Sequence, residues 1–266
     1  NVKMAVAYDG TGFHGFATNR GVPTVAGSLT EAISTIVRQP VTLTGAGRTD
    51  AGVHAWGQVI SVELPDGTDL DDLARRVNKL CAPSIAVRSA ELVADDFDAR
   101  FSAHWRHYHY DIWNAPHPNP LIAARAWHVA APLDVDAMAA AAQHVVGEHD
   151  FSSFCRRPKV ADDVAPPALP RRVLDARWSN VSSSFFGASC TDSVHVALQN
   201  AVVLRFEIRA TAFCHQMVRS IVGTLVDVGT GKLRAADLPG ILAAGDRRAA
   251  GQVAPPRGLT LWEVGY

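Results

Sequence analysis

The stretch Gly47–Ala55 reads Gly-Arg-Thr-Asp-Ala-Gly-Val-His-Ala and places one carboxylate, Asp50, between glycines and close to an arginine. Glycine lets the backbone take tight or left-handed turns and leaves room for a bulky partner. Asp-Ala-Gly is also a turn sequence in its own right. A strand-like run, Gly57–Val62, follows. On local chemistry alone, the stretch is either an ordinary connection between two strands or a loop that presents a carboxylate to a ligand.

Regular patterns surround this loop in the first half of the chain. Apolar residues at alternate positions predict strands, and apolar residues at i, i+3 and i+4 predict helices. Strands are predicted at Val2–Tyr8, Val41–Thr44, Gly57–Val62 and Ile85–Leu92, and helices at Thr24–Val37 and Asp69–Leu80, the latter entered through Asp69. This β-α-β-β-α-β order is that of a ferredoxin-like unit.

The second half repeats this theme more loosely. Strands are predicted at His107–Trp113, Val202–Arg209 and Gly258–Tyr266, and helices at Val135–Val146, Phe213–Val228 and Asp237–Ala244. The stretch Gly147–Asn200 is the least regular, and prolines interrupt its first part. We therefore predict an α/β (α+β) fold with two related mixed-sheet domains, residues 1–104 and 105–266, and an irregular insertion near residues 156–200.

Composition limits the class of protein. The 266 residues are 48% hydrophobic and 19% charged, which is typical of a globular protein. No apolar run approaches the ~18–20 residues that span a bilayer, and no signal-peptide pattern opens the chain. The cysteines at positions 81, 155, 190 and 214 form no C-x-x-C pair. We therefore expect free thiols in a reducing, cytoplasmic environment and no membrane contact.

The formal net charge of −1 bears on possible partners. A nucleic-acid-binding protein usually displays a basic surface, so any such surface here requires local concentration of charge. Basic residues cluster at Arg75-Arg76 with Lys79, at Arg100 with Arg106, at Arg156-Arg157 with Lys159, and at Arg171-Arg172. Each cluster is either part of such a surface or an ordinary solvated face.

Taken with the Gly57-Gln58-Val59 that follows it, the stretch Gly47–Ala55 resembles the signature of the TruA family of tRNA pseudouridine synthases. Other segments resemble the family in the expected order: Tyr8–Gly10, Asp96–Ala103, Tyr108–Tyr110, Gly147–Phe154, Ala212–Gly223 and Ala254–Leu259. The resemblance covers nearly the whole chain. It implies the pseudouridine synthase fold, in which two ferredoxin-like mixed-sheet domains flank a catalytic cleft.

The resemblance also implies an activity. It implies isomerisation of uridine to pseudouridine at positions 38–40 of the anticodon arm of tRNA, by a homodimer and without metal or other cofactor. Asp50 then acts as the catalytic carboxylate. It is either a nucleophile on C1′ or C6 of the nucleotide, or the base that removes the C2′ proton.

Four further residues take roles from the resemblance. Arg48 contacts RNA near the extruded nucleotide, and Arg219 reaches the carboxylate of Asp50, unless it is a snorkelling side chain at the edge of its helix. Tyr108 stacks on the uracil and assists catalysis, although an inward-facing tyrosine on a strand is often core. His54 either contacts the RNA or is structural. The histidines at positions 104, 107 and 109 suggest no metal site, because no carboxylate or cysteine lies at ligand spacing.

Two other classes of protein remain open on the residues alone. The chain could be an inactive relative that binds tRNA, although an intact Asp50, Arg48 and Arg219 argue against this. It could also be a glycosidase, but such enzymes generally need two catalytic acids about 5–9.5 Å apart. The signature supplies one acid, and Asp9, Glu63 or Asp66 would have to be the other.

Overall fold

The computed structural model describes residues 1–156, 167–181 and 201–266. The chain forms two compact units, Asn1–His107 with Thr260–Tyr266, and Tyr108–Leu259. Each unit combines helices with strands of mixed direction, which confirms the mixed α and β class. The ferredoxin-like description and the division into residues 1–104 and 105–266 stay predictions. Among the described residues, no helix has both the length and the apolar character needed to cross a bilayer.

The first unit contains five strands and two helices. In chain order they are β1 (Val2–Tyr8), α1 (Val25–Val37), β2 (Leu43–Gly45), β3 (His54–Val62), α2 (Leu70–Cys81), β4 (Ile85–Leu92) and the closing strand β10 (Leu259–Gly265). The strand order is β4–β1–β3–β10, and β2 also pairs with β3. Neighbours are antiparallel except β3 and β10, which are parallel.

Local sequence accounts for most of these elements. In β1 every second side chain is buried, as the alternation predicted. The side chain of Thr24 accepts a hydrogen bond from the Gly27 N–H and caps α1. Asp69 caps α2 in the same way through the Asp72 N–H, which confirms the predicted start of that helix. The closing strand β10 groups with the first unit because it pairs with β3. The two strands approach so closely at Gly57 that a side chain there would overlap the Trp262 carbonyl.

The second unit contains most of the remaining elements. They are β5 (Trp105–Asn114), β6 (Trp127–Val129), α3 (Val135–Gln143), β7 (Gly147–Asp150), β8 (Pro170–Asn180), β9 (Val202–Ala210), α4 (Met217–Gly229) and α5 (Leu238–Ala244). The strand order is β5–β9–β8–β7, with β6 parallel to β5 at its edge. Helix α3 packs against α4 and β8. Buried residues of α4 include Ile221, Val222 and Leu225.

The expectation of an irregular stretch at Gly147–Asn200 was wrong where the structure describes it. Strands β7 and β8 lie inside it and pair with each other, and β8 also pairs with β9. The charges in β8 hid the strand pattern. Arg177 is one of these charged residues and lies on the exposed face, where it pairs with Glu207 of β9 across the strands. Residues 157–166 and 182–200 of the predicted insertion lie outside the described residues.

Two predicted helix boundaries also differ. Helix α4 begins at Met217 rather than at Phe213, because Gln216 adopts a left-handed conformation with φ of 65° and interrupts regular helix geometry. Helix α3 ends at Gln143 rather than at Val146. Both helices exist where they were predicted, so the hydrophobic periodicity located the elements but not their ends.

The expectation of free thiols was wrong for one pair of cysteines. Cys155 and Cys214 are joined by a disulfide, with their Cα atoms 5.8 Å apart. The fold brings the two segments together, because the Arg156 N–H donates to the His215 carbonyl at 2.9 Å. Cys81 is free. Sequence separation alone gave no sign of this proximity.

Candidate active site

Asp50 lies in the loop that leads from β2 into β3, as the turn chemistry predicted. The Val53 N–H donates to the Asp50 carbonyl at 3.1 Å and closes a turn around Ala51 and Gly52. Gly52 has a φ of 77°, a conformation that side chains rarely adopt. Within the loop, Thr49 is buried while Arg48 is exposed and Asp50 is half-buried. Arg48 and Asp50 are therefore accessible to a ligand, and the residue between them anchors the loop.

A neighbouring turn of backbone supports the outer side of this loop. The Phe16 N–H donates to the Thr49 carbonyl at 3.0 Å. A Cβ atom at Gly15 would lie 2.9 Å from that same carbonyl oxygen, and one at Gly10 would overlap the Val53 carbonyl. The two backbones approach this closely only because both positions are glycine.

Replacing Gly10 with alanine should therefore disturb the Asp50 loop. The new Cβ would overlap backbone atoms of Val53, which cannot rotate away. We expect the free energy of unfolding to fall by about 1–3 kcal/mol, as for other overpacked sites. Chemical denaturation measures this directly. Gly12→Ala is the matched control, because a Cβ at Gly12 meets nothing within 4 Å. Equal stability of the two variants would show that the close approach has no energetic role.

Buried polar groups hold the inner side of the loop. The Tyr8 hydroxyl and the Thr49 hydroxyl form a hydrogen bond of 2.8 Å. The Gln58 amide donates to the Gly47 carbonyl at 2.8 Å and accepts from the Gly47 N–H at 3.3 Å. Burial raises the pKa of Tyr8 to about 12, so its hydroxyl stays protonated at neutral pH.

A guanidinium holds the point where the chain enters the loop. Arg106 donates from Nε and Nη2 to the Ala46 carbonyl at 3.2 and 2.9 Å. The Ala46 N–H donates to the Val59 carbonyl at 2.8 Å. Ala46 immediately precedes Gly47, so these bonds fix the chain at the base of the loop.

His54 stands at the other end of the loop, at the start of β3. Its ring is 2% exposed, and Nδ1 accepts the Gly10 N–H at 3.1 Å. Asp9 Oδ1 also lies 3.3 Å from Nδ1, but that oxygen already accepts two hydrogen bonds from Thr11. This geometry matches the structural alternative for His54, and contact with RNA stays a prediction.

Tyr108 and Arg219 lie in the second unit. Tyr108 is 8% exposed, and its ring meets Phe213 edge-on with centroids 5.0 Å apart. Arg219 is half-buried on α4, and its Nε donates to the Ala254 carbonyl at 2.7 Å. The Ala254 N–H in turn donates to the Arg219 carbonyl at 3.0 Å. Both side chains are thus held in defined positions. Their predicted roles toward the nucleotide and toward Asp50 stay predictions.

The environment of Arg219 includes Tyr110. Burial raises the pKa of Tyr110, and the positive charges of Arg219 and Arg257 oppose that rise. The Tyr110 hydroxyl donates to the Pro255 carbonyl at 2.8 Å. The segment that carries Ala254 and Pro255 thus accepts a hydrogen bond from β5 and another from α4.

One group of side chains has the composition of a metal site. One possible ligand atom each from His107, His109 and Glu207 lies within 4.8 Å of the others. His109 Nε2 is 3.0 Å from Glu207 Oε1, so a carboxylate does meet this histidine, contrary to the spacing argument. Arg177 Nε donates to the other oxygen of Glu207 at 2.8 Å. This carboxylate therefore also has a guanidinium partner, and the absence of a metal at this group stays a prediction.

The structure thus groups the predicted residues by unit. Arg48, Asp50 and His54 share the loop and its end in the first unit, while Tyr108 and Arg219 belong to the second. Sequence reasoning missed the residues that support the loop, Tyr8, Thr49 and Gln58. A signal for one of them was present, since Gln58 is an amide within an apolar strand run.

Comparison with known proteins gives the class. The sequence profile described as tRNA pseudouridine synthase matches residues 4–102 and 141–266. These matches cover the Asp50 loop and the helix that carries Arg219. The chain belongs to the tRNA pseudouridine synthase family, a family of isomerases.

Individual relatives agree along their whole length. A protein of Rhodopseudomonas palustris (strain HaA2) named tRNA pseudouridine synthase A is 41% identical over 99% of this chain and 98% of its own. A protein of the same name from Brevibacillus brevis is 39% identical over 100% of this chain and 99% of its own. Among solved structures, a Cbf5-Nop10-Gar1 complex aligns with 85% of this chain and 45% of that chain at a TM-score of 0.33 and 12% identity, which is too low to bear on the fold.

Proposed function

We propose that this protein converts uridine to pseudouridine at positions 38–40 of the anticodon arm of tRNA, with Asp50 as the catalytic carboxylate. The observation that carries the proposal is the Asp50 loop. It presents an accessible carboxylate next to the exposed Arg48, and buried hydrogen bonds at Gly47 and Thr49 hold it in place. Family membership supplies the reaction class.

The reaction needs little beyond what the chain contains. The N1–C1′ bond of the uridine breaks, the base turns, and a C5–C1′ bond forms, while the proton on C5 leaves and N1 gains one. No electron is transferred and no water is consumed. An ionised carboxylate next to the ribose and the uracil can act in these steps either as the nucleophile or as the group that accepts a proton. Both routes remain open for Asp50.

The other site residues serve the same reaction in this proposal. Arg48 binds the RNA backbone near the target, because an exposed guanidinium matches phosphate geometry. Tyr108 stacks on the uracil, and Arg219 donates to the carboxylate of Asp50 and orients it. The target nucleotide leaves the helical stack before reaction, since a carboxylate cannot reach C1′ or C6 of a stacked base. The protein acts as a cytoplasmic homodimer in this proposal.

Binding of tRNA should weaken steeply with salt. Phosphate contacts release counterions, so a protein that makes several of them loses affinity as salt rises. Between 50 and 200 mM salt we expect the affinity to fall by at least about 100-fold, despite a formal net charge of −1 for the chain. Filter binding with a whole tRNA measures this. A change of less than about threefold would mean that the chain does not bind tRNA mainly through its phosphates.

Mapping the product tests the proposed positions. Carbodiimide adducts that survive alkali mark pseudouridine, and they stop reverse transcription one nucleotide before the modified base. Unmodified tRNA with uridines in and outside the anticodon arm is incubated with the protein. We expect new stops that report positions 38–40 only. Stops that report other uridines would remove the anticodon-arm assignment but keep the isomerase.

A further inference from the structure

A buried glutamine, Gln58, lies beneath the Asp50 loop. It belongs to β3, where the neighbouring Val59 and Ile60 are apolar and buried, and it is itself 0% exposed. A buried amide is costly unless its polar atoms are paired. Its presence in this strand therefore requires partners.

The amide of Gln58 is fully satisfied. A side-chain amide offers two N–H donors and an oxygen that accepts two bonds. Nε2 donates to the Gly47 carbonyl at 2.8 Å and to the Tyr8 hydroxyl at 3.4 Å. Oε1 accepts from the Gly47 N–H at 3.3 Å and from the Val59 N–H at 3.2 Å. These partners fix the orientation of the amide, because the reverse orientation would set donors against donors.

These bonds hold the chain on both sides of Arg48. Gln58 forms hydrogen bonds with both the carbonyl and the N–H of Gly47. The Tyr8 hydroxyl, which Gln58 also contacts, forms a hydrogen bond of 2.8 Å with the Thr49 hydroxyl. Arg48 lies between these two anchors, and Asp50 follows the second directly. The buried network therefore fixes the backbone from which the exposed Arg48 and the half-buried Asp50 project.

We infer that Gln58, through Gly47 and through Tyr8 with Thr49, is a positioning residue for Asp50 and Arg48. It does not touch substrate, because it is fully buried. Its effect on the reaction passes through the loop, and this inference rests on the proposed function. A displacement of about 1 Å at a reacting group costs as much as 100-fold in rate.

Substitutions that keep size but remove polar atoms test the network. Gln58→Met removes all four hydrogen bonds, and Thr49→Val removes the hydroxyl that bonds to Tyr8. For each we expect kcat on tRNA to fall about 10–100-fold while KM stays within about threefold. In the double variant Gln58→Met with Thr49→Val, kcat should fall by less than the product of the two single effects, because both substitutions break the same network. Thr49→Ser restores the hydroxyl and should recover most of the loss.

Ser61→Ala is the matched control for lost stability. Ser61 lies on the same strand, is 7% exposed, and accepts the Ala99 N–H at 3.1 Å. Its substitution removes a buried hydrogen bond away from the loop. If Ser61→Ala and Gln58→Met lower kcat equally at equal loss of thermal stability, Gln58 has a structural role only. A raised KM with unchanged kcat would also overturn the inference, since the network would then serve binding.

A second readout separates this inference from the proposed function. Hydrogen exchange of the peptide that covers residues 47–53 is measured for wild type, Gln58→Met and Ser61→Ala. We expect faster exchange in Gln58→Met alone. If wild type releases no product from tRNA, the proposed function fails, and the exchange still tests whether Gln58 fixes the loop. Unchanged exchange in Gln58→Met overturns the inference whatever the activity.

Discussion

Asp50→Asn should abolish turnover while tRNA binding persists. The substitution removes the negative charge and the nucleophilic or basic oxygen but keeps the shape of the side chain. The loop should stay in place, because its anchors are the backbone and side chains of Gly47, Thr49 and Val53. We expect the single-turnover rate to fall by at least about 1,000-fold, with the dissociation constant for tRNA changed by less than about threefold.

Matched carboxylates test whether Asp50 acts alone. Asp66→Asn alters an exposed carboxylate in a turn of the first unit, and Glu63→Gln alters one near the end of β3. A glycosidase-like mechanism would need one of these, or Asp9, as a second acid. We expect both variants to retain wild-type rates. Loss of activity in either, matching that of Asp50→Asn, would contradict a single catalytic carboxylate, and an active Asp50→Asn would remove Asp50 from the mechanism.

Arg219→Leu should also impair catalysis strongly. In the proposed function the guanidinium donates to the carboxylate of Asp50 and orients it, and loss of one oriented donor at a reacting centre costs about 100–1,000-fold in kcat. Arg219→Lys keeps the charge but not the planar guanidinium, so its kcat should lie between those of wild type and Arg219→Leu. Steady-state kinetics on tRNA measure the three proteins.

The hydrogen bond from Arg219 to Ala254 requires a control for stability. Thermal unfolding of Arg219→Leu and Arg219→Lys shows how much of the loss is structural. Arg234→Leu is a matched surface change, because Arg234 is 85% exposed and pairs with Asp237 on the same turn. We expect Arg234→Leu to keep full activity. An Arg219→Leu variant with wild-type kcat would reduce Arg219 to a packing role.

Local patterns in the sequence predicted the elements around the site. The alternation in β1 and the capping residues Thr24 and Asp69 act over a few residues, so the sequence displays them directly. Strand β8 was missed because charged residues interrupt its apolar pattern, and one of them, Arg177, pairs with Glu207 of β9, a contact between segments separated in sequence. The left-handed Gln216 that delays α4 likewise has no strong local signal, since glutamine rarely adopts that conformation.

The sequence predicts reacting residues for the site but not the residues that support them. The family signature predicts roles for Asp50 and Arg48, because both residues lie within one contiguous stretch that can be compared with the family. The bond between Tyr8 and Thr49 joins positions 41 residues apart, and the Cys155–Cys214 disulfide joins positions 59 apart. Such partners follow from the packing of distant segments. For that reason the supporting role of the Gln58 amide follows only from the structure, in which it forms hydrogen bonds with Gly47.

The most direct test of the central claim is release of tritium from tRNA labelled at C5 of uracil. Wild-type protein is incubated with this tRNA without added metal or nucleotide, and the tritium in water is counted against pseudouridine formed. Isomerisation replaces the C5–H bond with the C5–C1′ bond, so we predict one tritium released for each pseudouridine. No release from tRNA that is demonstrably bound would contradict the account and leave a tRNA-binding protein without this activity.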